Sequence, residues 1–513
     1  MITQILSMND IVNWLRQVAP AANLSANSRT IAVGDIFFAL LTHHGDGRRY
    51  IAQAIERGAA AIVYEAEQAT SDFHWEDSWS VPHLAVAGLS VQAAQIARTW
   101  YGAPDAEMYT IAVTGTNGKT SCTQWLARAL SMLKCDVGVI GTLGVGVYKN
   151  GINNGLDETG FTTPDAIQLH ASLAAMKAQG AQALAIEASS IGLVQGRMQG
   201  MHLDAAVFTN LTRDHLDYHG DMAAYGAAKQ TLFDWPDLSV AVVNLDDPFG
   251  VQLIQYLQQH RPAVQRIAYS LEKNHCPDAG LFYASHLKTT HTGTSFQMES
   301  PYGSGSVKTQ LIGRFNVSNI LAVIAVLCSK GIPFNKVVAA IEKLNPVAGR
   351  MQLLARPGHV MVVIDYAHTP DALEKTLTTL RHIAQERNGQ LWCVFGCGGD
   401  RDPGKRPQMG KISEIADHVV VTSDNPRTEN PATIIGQIVA GLNKPAHVIE
   451  DRANAILYAI KHAGNQDVVL LAGKGHETYQ DINGKKWPFS DEEHASLALA
   501  TVATSGNNMK RGN

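Results

Sequence analysis

Apolar residues along the chain keep two rhythms. Solid runs of four to six, IFFAL, AAIVY, YTIAV, VGVIG, ALAIE, AAVF, VAVVN, VMVVI, LWCVF, HVVV and DVVLL, read as buried strands. Between them lie longer stretches at helical spacing, such as Leu126, Leu130 and Leu133 after the third run. Strand and helix in alternation predict an α/β chain whose sheets are largely parallel, with ligands collecting at the carboxyl ends of the strands. The pattern divides into a small N-terminal α/β domain (1–103), a central domain with a mostly parallel sheet (104–346) and a C-terminal domain (347–513). Gly102 and Pro104 in WYGAPDAEMY mark the first boundary. The last domain looks Rossmann-like but has no GxGxxG, and its FGCGGDRD is a glycine-rich turn only. Residues 265–308 carry few motifs and read as a β-rich excursion of the central domain; the polar tail SGNNMKRGN reads as disordered.

Composition narrows the function. A chain of 513 residues has room for about three domains, and 45% hydrophobic residues is ordinary for a globular protein. A net charge of −5 gives no overall attraction to nucleic acid or to an anionic membrane. Any anionic substrate must then meet local basic groups. The six cysteines, Cys122, Cys135, Cys276, Cys328, Cys393 and Cys397, have neither CxxC pairs nor zinc-finger spacing. With no signal-like start and no apolar stretch of about 18 residues, a cytoplasmic small-molecule enzyme is expected, monomeric and without membrane insertion.

The strongest chemistry lies at residues 114–121, TGTNGKTS, after the strand YTIAV and before a helix. Gly115 and Gly118 allow a tight turn close to a polyphosphate, and the N–H groups opening the helix point at the anion. Thr116, Asn117 and Ser121 complete the loop. Lys119 would reach the β- and γ-phosphates of ATP, and the Thr120 hydroxyl would ligate magnesium. Val113 stands where the general phosphate-loop pattern has glycine, so the loop is a shortened variant. Glu187 ends the strand ALAIE, and His215 follows AAVFTN in TNLTRDHLDYHGD. From the residues alone, Glu187 suits a helix start as well as a metal, and imidazole is an uncommon ligand for so hard a cation.

In this compact form TGTNGKT, with ExSS and DHLDYHG, resembles the Mur ligase family, ATP-dependent amide-forming enzymes of peptidoglycan synthesis. The resemblance runs through about ten motif blocks in order along the chain. It implies that Glu187 and His215 are magnesium ligands and that Asp214, Asp217 and His219 are supporting polar residues. It also implies that Lys229, in YGAAKQTLF, is carbamylated to N6-carboxylysine and helps bind a second magnesium. Asn319, in GRFNVSN, is implied as an adenine contact, with Arg350 and Asp365 as further ATP ligands. For the UDP-substrate it implies Ser28, His43 and His44, and then Thr162, Thr163, Ser189, Gln195 and Arg197. Three positions depart from the family pattern: Phe161 where a polar residue is frequent, Ile191 for the histidine of EVSSHGL, and Phe315 for that of HNxxN.

The tetrad Asp424, Asn425, Pro426 and Arg427 matches the family's diaminopimelate-recognition motif. Arg427 offers a planar fork for a distal carboxylate, and Asn425 can bond amine and carboxylate alike. Arg401, Gly473 and Glu477 match the rest of that site, with Glu477 opposing the distal ammonium. The implied reaction adds meso-2,6-diaminopimelate to UDP-N-acetylmuramoyl-L-alanyl-D-glutamate through an acyl phosphate.

Overall fold

The computed structural model describes residues 7–42, 45–66, 73–272, 279–354 and 359–509, with side chains to residue 502. Cys276, His43 and His44 lie outside the described residues. The chain is α/β, with an N-terminal parallel sheet, a central mixed sheet and a C-terminal, mostly parallel sheet. It forms two compact units, one of residues 1–114, 130–206 and 231–239, the other of 115–129, 207–230 and 240–513.

In the first unit the N-terminal sheet has the order Leu24–Ser25, Ile36–Ala39, Ala61–Glu65, His83–Val86, all parallel. Its leading helix, Met8–Val18, starts on a capping box in which the Ser7 hydroxyl accepts from Asp10 N and the Asp10 carboxylate answers the Ser7 backbone. The strands IFFA and AIVYE flank the helix Ile51–Glu56, as the apolar runs predict. This unit also carries the strand order Ile152–Asn153, Gly144–Lys149, Val137–Gly141, Ala183–Glu187, Tyr109–Thr114. The last three are parallel, and the first two join them antiparallel.

In the second unit Val240–Asn244, Gln265–Ser270 and Gly280–Thr290 run parallel, and Gly293–Ser300 and Gly303–Thr309 return antiparallel. The described residues between 265 and 308 therefore lie mostly in strands, in keeping with the β-rich reading. The helix Arg314–Ser329 is apolar on nearly every side, and packs against the strands Val240–Asn244 and Gln265–Ser270. The C-terminal sheet has the order Gln352–Leu354, Met361–Asp365, Val468–Ala472, Leu391–Phe395, His418–Val421, His447–Val448, with only the first strand antiparallel. Its inner strands are buried along their whole length, which their unbroken Val/Leu/Ile runs require. The polar tail departs from expectation, because the helix Asp491–Met509 continues through the first five of its nine residues.

Candidate active site

The phosphate loop is built as its sequence demands. Gly115 and Gly118 have φ of 144° and 88°, and a Cβ on them would come within 1.9 Å of Thr209 Oγ1 and 2.5 Å of Asn319 Oδ1. The helix Lys119–Met132 opens directly from the loop. Lys119 Nζ folds back onto the carbonyl oxygens of Gly115 and Thr116, 2.9 Å from each. Asn210 holds the loop from outside: its backbone oxygen accepts from Thr116 N and its Oδ1 from Asn117 N, while its Nδ2 donates to Asn117 O. The Thr209 hydroxyl donates to the same Asn117 oxygen at 2.6 Å.

Three residues expected at ATP collect around this loop. Asn319 lies against Gly118. Arg350 Nη2 donates to Thr120 Oγ1 at 3.1 Å, and its guanidinium lies 4.3 Å from the centre of the Tyr366 ring. Asp365, at the carboxyl end of the strand Met361–Asp365, accepts from Met351 N at 2.7 Å. Burial raises its carboxyl, against the charge of Arg350. A further tie comes from Asn117 Nδ2, which donates to Asp371 Oδ2 at 3.2 Å.

Lys229, on the helix Met222–Gln230, is 1% exposed and donates to Gly115 O at 2.9 Å. Its Nζ lies 4.1 Å from the centre of the Tyr225 ring. Burial, with Lys119 adding to it and Asp214 opposing, drives its ammonium well below the usual lysine range. His215 sits at φ 54°, its ring 3.3 Å from the carboxylate of Asp214. Burial pushes the imidazole down to about 4 despite Asp214, so at neutral pH it is uncharged and keeps a lone pair. Asp214 also meets His368 at 3.7 Å; burial raises its carboxyl, but His368, His215 and Lys405 hold it well below the usual carboxylate range. The sequence analysis did not single out Asn210 and His368. Asn210 lies within TNLTRDHLDYHGD and His368 three residues after Asp365, and chemical type alone does not separate either from its neighbours.

In the first unit Glu187 ends its strand fully buried and accepts from Thr142 N at 2.8 Å and Thr142 Oγ1 at 3.1 Å. Thr162 joins through the Thr142 hydroxyl at 3.1 Å. Thr163 Oγ1 donates to Glu187 O at 2.7 Å and lies 2.9 Å from Ser189 Oγ. Arg197 donates to Thr163 O and, through Nε and Nη2, to Gln195 Oε1. The five acceptor residues expected from the sequence therefore form one polar network with Glu187. Phe161 is explained by the same network, its ring lying 5.1 Å from the Arg197 guanidinium. Ser28 lies apart in the N-terminal sheet region, buried, with its hydroxyl donating to Gln53 Oε1 at 2.7 Å.

The remaining site residues lie at carboxyl ends of the C-terminal sheet. Arg401 and Arg427 flank Gly398, where a Cβ would be 3.9 Å from Arg401 Cγ and 2.9 Å from Arg427 Nη1. Arg427 Nη1 donates to Gly399 O at 2.7 Å. Its backbone has φ 50° and is clasped by the hairpin that follows: Arg427 N donates to Asp481 O and Asn483 N to Arg427 O. Pro426 closes against Gly399, whose Cβ would come within 1.9 Å of the proline oxygen. Gly473 has φ 110° and no room for a side chain, since a Cβ would meet Asp424 Oδ2 at 2.5 Å. Asn425 Nδ2 donates to Glu477 Oε2 at 2.8 Å.

Comparison with known proteins agrees along the whole length. Residues 21–101 match the description "Mur ligase family, catalytic domain", 113–327 "Mur ligase middle domain" and 349–475 "Mur ligase, glutamate ligase domain". The UDP-N-acetylmuramoyl-L-alanyl-D-glutamate–2,6-diaminopimelate ligase of Janthinobacterium sp. (strain Marseille) is 56% identical over 98% of each chain. The enzyme of that name from Coxiella burnetii is 46% identical over 93% of this chain and 95% of its own. A solved structure bearing the same name superposes with a TM-score of 0.63 at 36% identity, covering 93% of this chain and 94% of that one. The MurF ligase of Thermotoga maritima, solved in complex with ADP, shares the fold, with a TM-score of 0.65 at 17% identity over 94% of this chain and 98% of its own.

Proposed function

The chain belongs to the Mur ligase family, and from that premise we infer that it joins meso-diaminopimelate to UDP-N-acetylmuramoyl-L-alanyl-D-glutamate in peptidoglycan precursor synthesis, at the expense of ATP. The domain bounds 1–103, 104–346 and 347–513 belong to the same proposal; the three matched family segments fall within them.

The observation that supports the amino-acid assignment is that opposite groups attach to one segment, residues 424–427. Arg427 and Arg401 flank Gly398 as donors for a distal carboxylate, while Glu477, tied to Asn425, offers an acceptor for the distal ammonium. A substrate with both groups on one carbon answers both. L-Lysine would leave the arginines unanswered.

The reaction begins when an oxygen of the D-glutamyl γ-carboxylate attacks the γ-phosphorus of ATP and ADP leaves. The amine of diaminopimelate then adds to the acyl-phosphate carbonyl, and phosphate departs as the amide forms. Lys119, which folds on its own loop carbonyls, would exchange them for phosphate oxygens and steady the transferring charge. Thr162, Thr163, Ser189, Gln195 and Arg197 are proposed to seat the acceptor, and Ser28, His43 and His44 the uridine diphosphate end. Asn319, Arg350 and Asp365 are proposed to hold the nucleotide.

The donors present suit magnesium. Among the described residues no cluster of three or more His, Cys, Asp or Glu has metal-holding geometry, which fits an ion coordinated largely by phosphate oxygens and water. Thr120, Glu187, His215 and modified Lys229 would hold it, and when bound it supplies neutralising charge at the phosphates. Lys229 has the chemistry for its modification. A lysine held well below its usual range gives up its proton more readily, and the nitrogen lone pair so freed would attack the carbon of carbon dioxide, the nitrogen then losing a second proton to leave a carbamate.

Phosphate release with ATP, magnesium and UDP-N-acetylmuramoyl-L-alanyl-D-glutamate tests the reading. Release with meso-diaminopimelate and not with L-lysine is the expected result. Release with lysine would overturn the role given to Arg427, and silence with both would overturn the reaction.

A further inference from the structure

Beside Asn425 and Glu477 stands a basic side chain that the roles given to them do not account for. Lys474 lies between Gly473 and Gly475, both at positive φ, and its side chain is 0% exposed. Its Nζ donates to Glu477 Oε2 at 2.9 Å and to Asn425 Oδ1 at 3.0 Å, and sits 3.9 Å from Asp424 Oδ1. Asn425 Oδ1 also accepts from Asp481 N at 3.0 Å, so its amide can point only one way, with Nδ2 toward Glu477. A second buried cation, Arg452, pairs with Asp491 through two bonds of 2.7 Å and also feels the charges of Asp424 and Glu477. Lys474 is the cation that directly bonds Glu477 and Asn425, the carboxylate and the amide that would meet an incoming ammonium.

We propose that Lys474 is a specificity-determining positioning residue, which fixes the Asn425 amide and the Glu477 carboxylate so that the pocket takes one ammonium on the distal carbon of the incoming amino acid. The proposal rests on the reading that residues 424–427 and 477 receive diaminopimelate. It separates two tasks on that carbon: the arginines read the carboxylate, and the lysine sets the conditions for reading the amine. Without Lys474, Asp424 and Glu477 lose the cation they share, and the Asn425 oxygen keeps only the N–H of Asp481.

The test uses meso-diaminopimelate and 2-aminopimelate, which keeps both carboxylates and lacks the distal amine. The wild-type enzyme should prefer diaminopimelate in kcat/KM by about 10- to 100-fold, the size of a charge-assisted hydrogen bond. Lys474→Met should bring that ratio to within about twofold, with the KM for ATP changed by less than about twofold. Arg427→Ala should raise KM for both amino acids and keep the ratio. If Lys474→Met lowers activity with both amino acids in parallel, or leaves the ratio intact, the proposal fails and the lysine is only structural. Should Lys474→Met not melt cooperatively, Lys474→Gln, neutral but still able to donate to Asn425, is read by the same ratio. A wild-type enzyme with no preference between the two amino acids would overturn the reading of the pocket itself.

Discussion

Lys229 and Lys474 are both buried, 1% and 0% exposed, yet their surroundings give them opposite chemistry. Lys229 faces a backbone carbonyl and an aromatic ring, with Lys119 near enough to repel it. Lys474 faces two carboxylates and an amide oxygen. Burial magnifies whatever charge stands nearby. In the first place the surroundings hold the ammonium well below the usual lysine range, and in the second they supply two carboxylates as ion-pair partners. On the readings proposed above, the same residue type serves as a reagent beside Gly115 and as a strut beside Asn425.

The sharpest way to break this contrast is chemical. Lys229→Ala should reduce kcat by about 10³-fold, as expected when a group that organises charge at a transferring phosphoryl is lost. Carbon-13 bicarbonate should give a carbamate resonance in the wild-type protein and none in the variant. A wild-type protein without that resonance would make Lys229 an ordinary buried amine. Arg452 and Asp491, both 0% exposed, extend the comparison to a buried cation with one dedicated partner. Asp491→Ala should cost about 3–5 kcal/mol in denaturant unfolding, because the guanidinium is left buried and unpaired.

Effects on binding follow. Arg427→Ala should raise the KM for meso-diaminopimelate about 100-fold with the KM for ATP nearly unchanged, and a parallel rise in both would remove Arg427 from the pocket. The lysines themselves should differ in stability. In buffer freed of carbon dioxide, Lys229→Met should be neutral or stabilising, whereas Lys474→Met should cost about 1–3 kcal/mol through its stranded carboxylates. Equal effects would show that burial outweighs the neighbours. A last effect belongs to a buried base and appears only in acid. His170, whose ring nitrogens have no hydrogen-bond partner, is pushed down to about 4 by burial, against the charge of Asp105. Unfolded histidine titrates near 6.5, so as pH falls from about 6.5 toward 4 the unfolded chain takes up the proton first and stability is lost. His170→Leu should flatten that part of the Tm against pH curve.

What the sequence made legible were features in which chain order is itself the mechanism. The phosphate loop needs two glycines and a lysine in fixed register, and Gly115 and Gly118 show why in their φ and in the atoms a Cβ would strike. The run of strands likewise placed Glu187, Asp365 and Gly473 at or just past strand ends. Lys474 was not legible, because a lysine between two glycines reads as a solvated turn until Asn425, 49 residues away, is seen at its side. His368 was missed for the same reason, its partner Asp214 lying far back in the chain. Phe161, a departure from the family pattern, became intelligible only through the cation it faces, Arg197.

Arg427 holds its side chain toward the pocket from a backbone at φ 50°, a conformation that glycine adopts freely and an arginine at some cost. Replacement by glycine would relax the loop by about 1 kcal/mol while deleting the fork proposed to tell one amino acid from another. A library of variants sorted for heat resistance would enrich that change, and one sorted for growth would purge it. On that proposal, durability and discrimination pull against each other at this position.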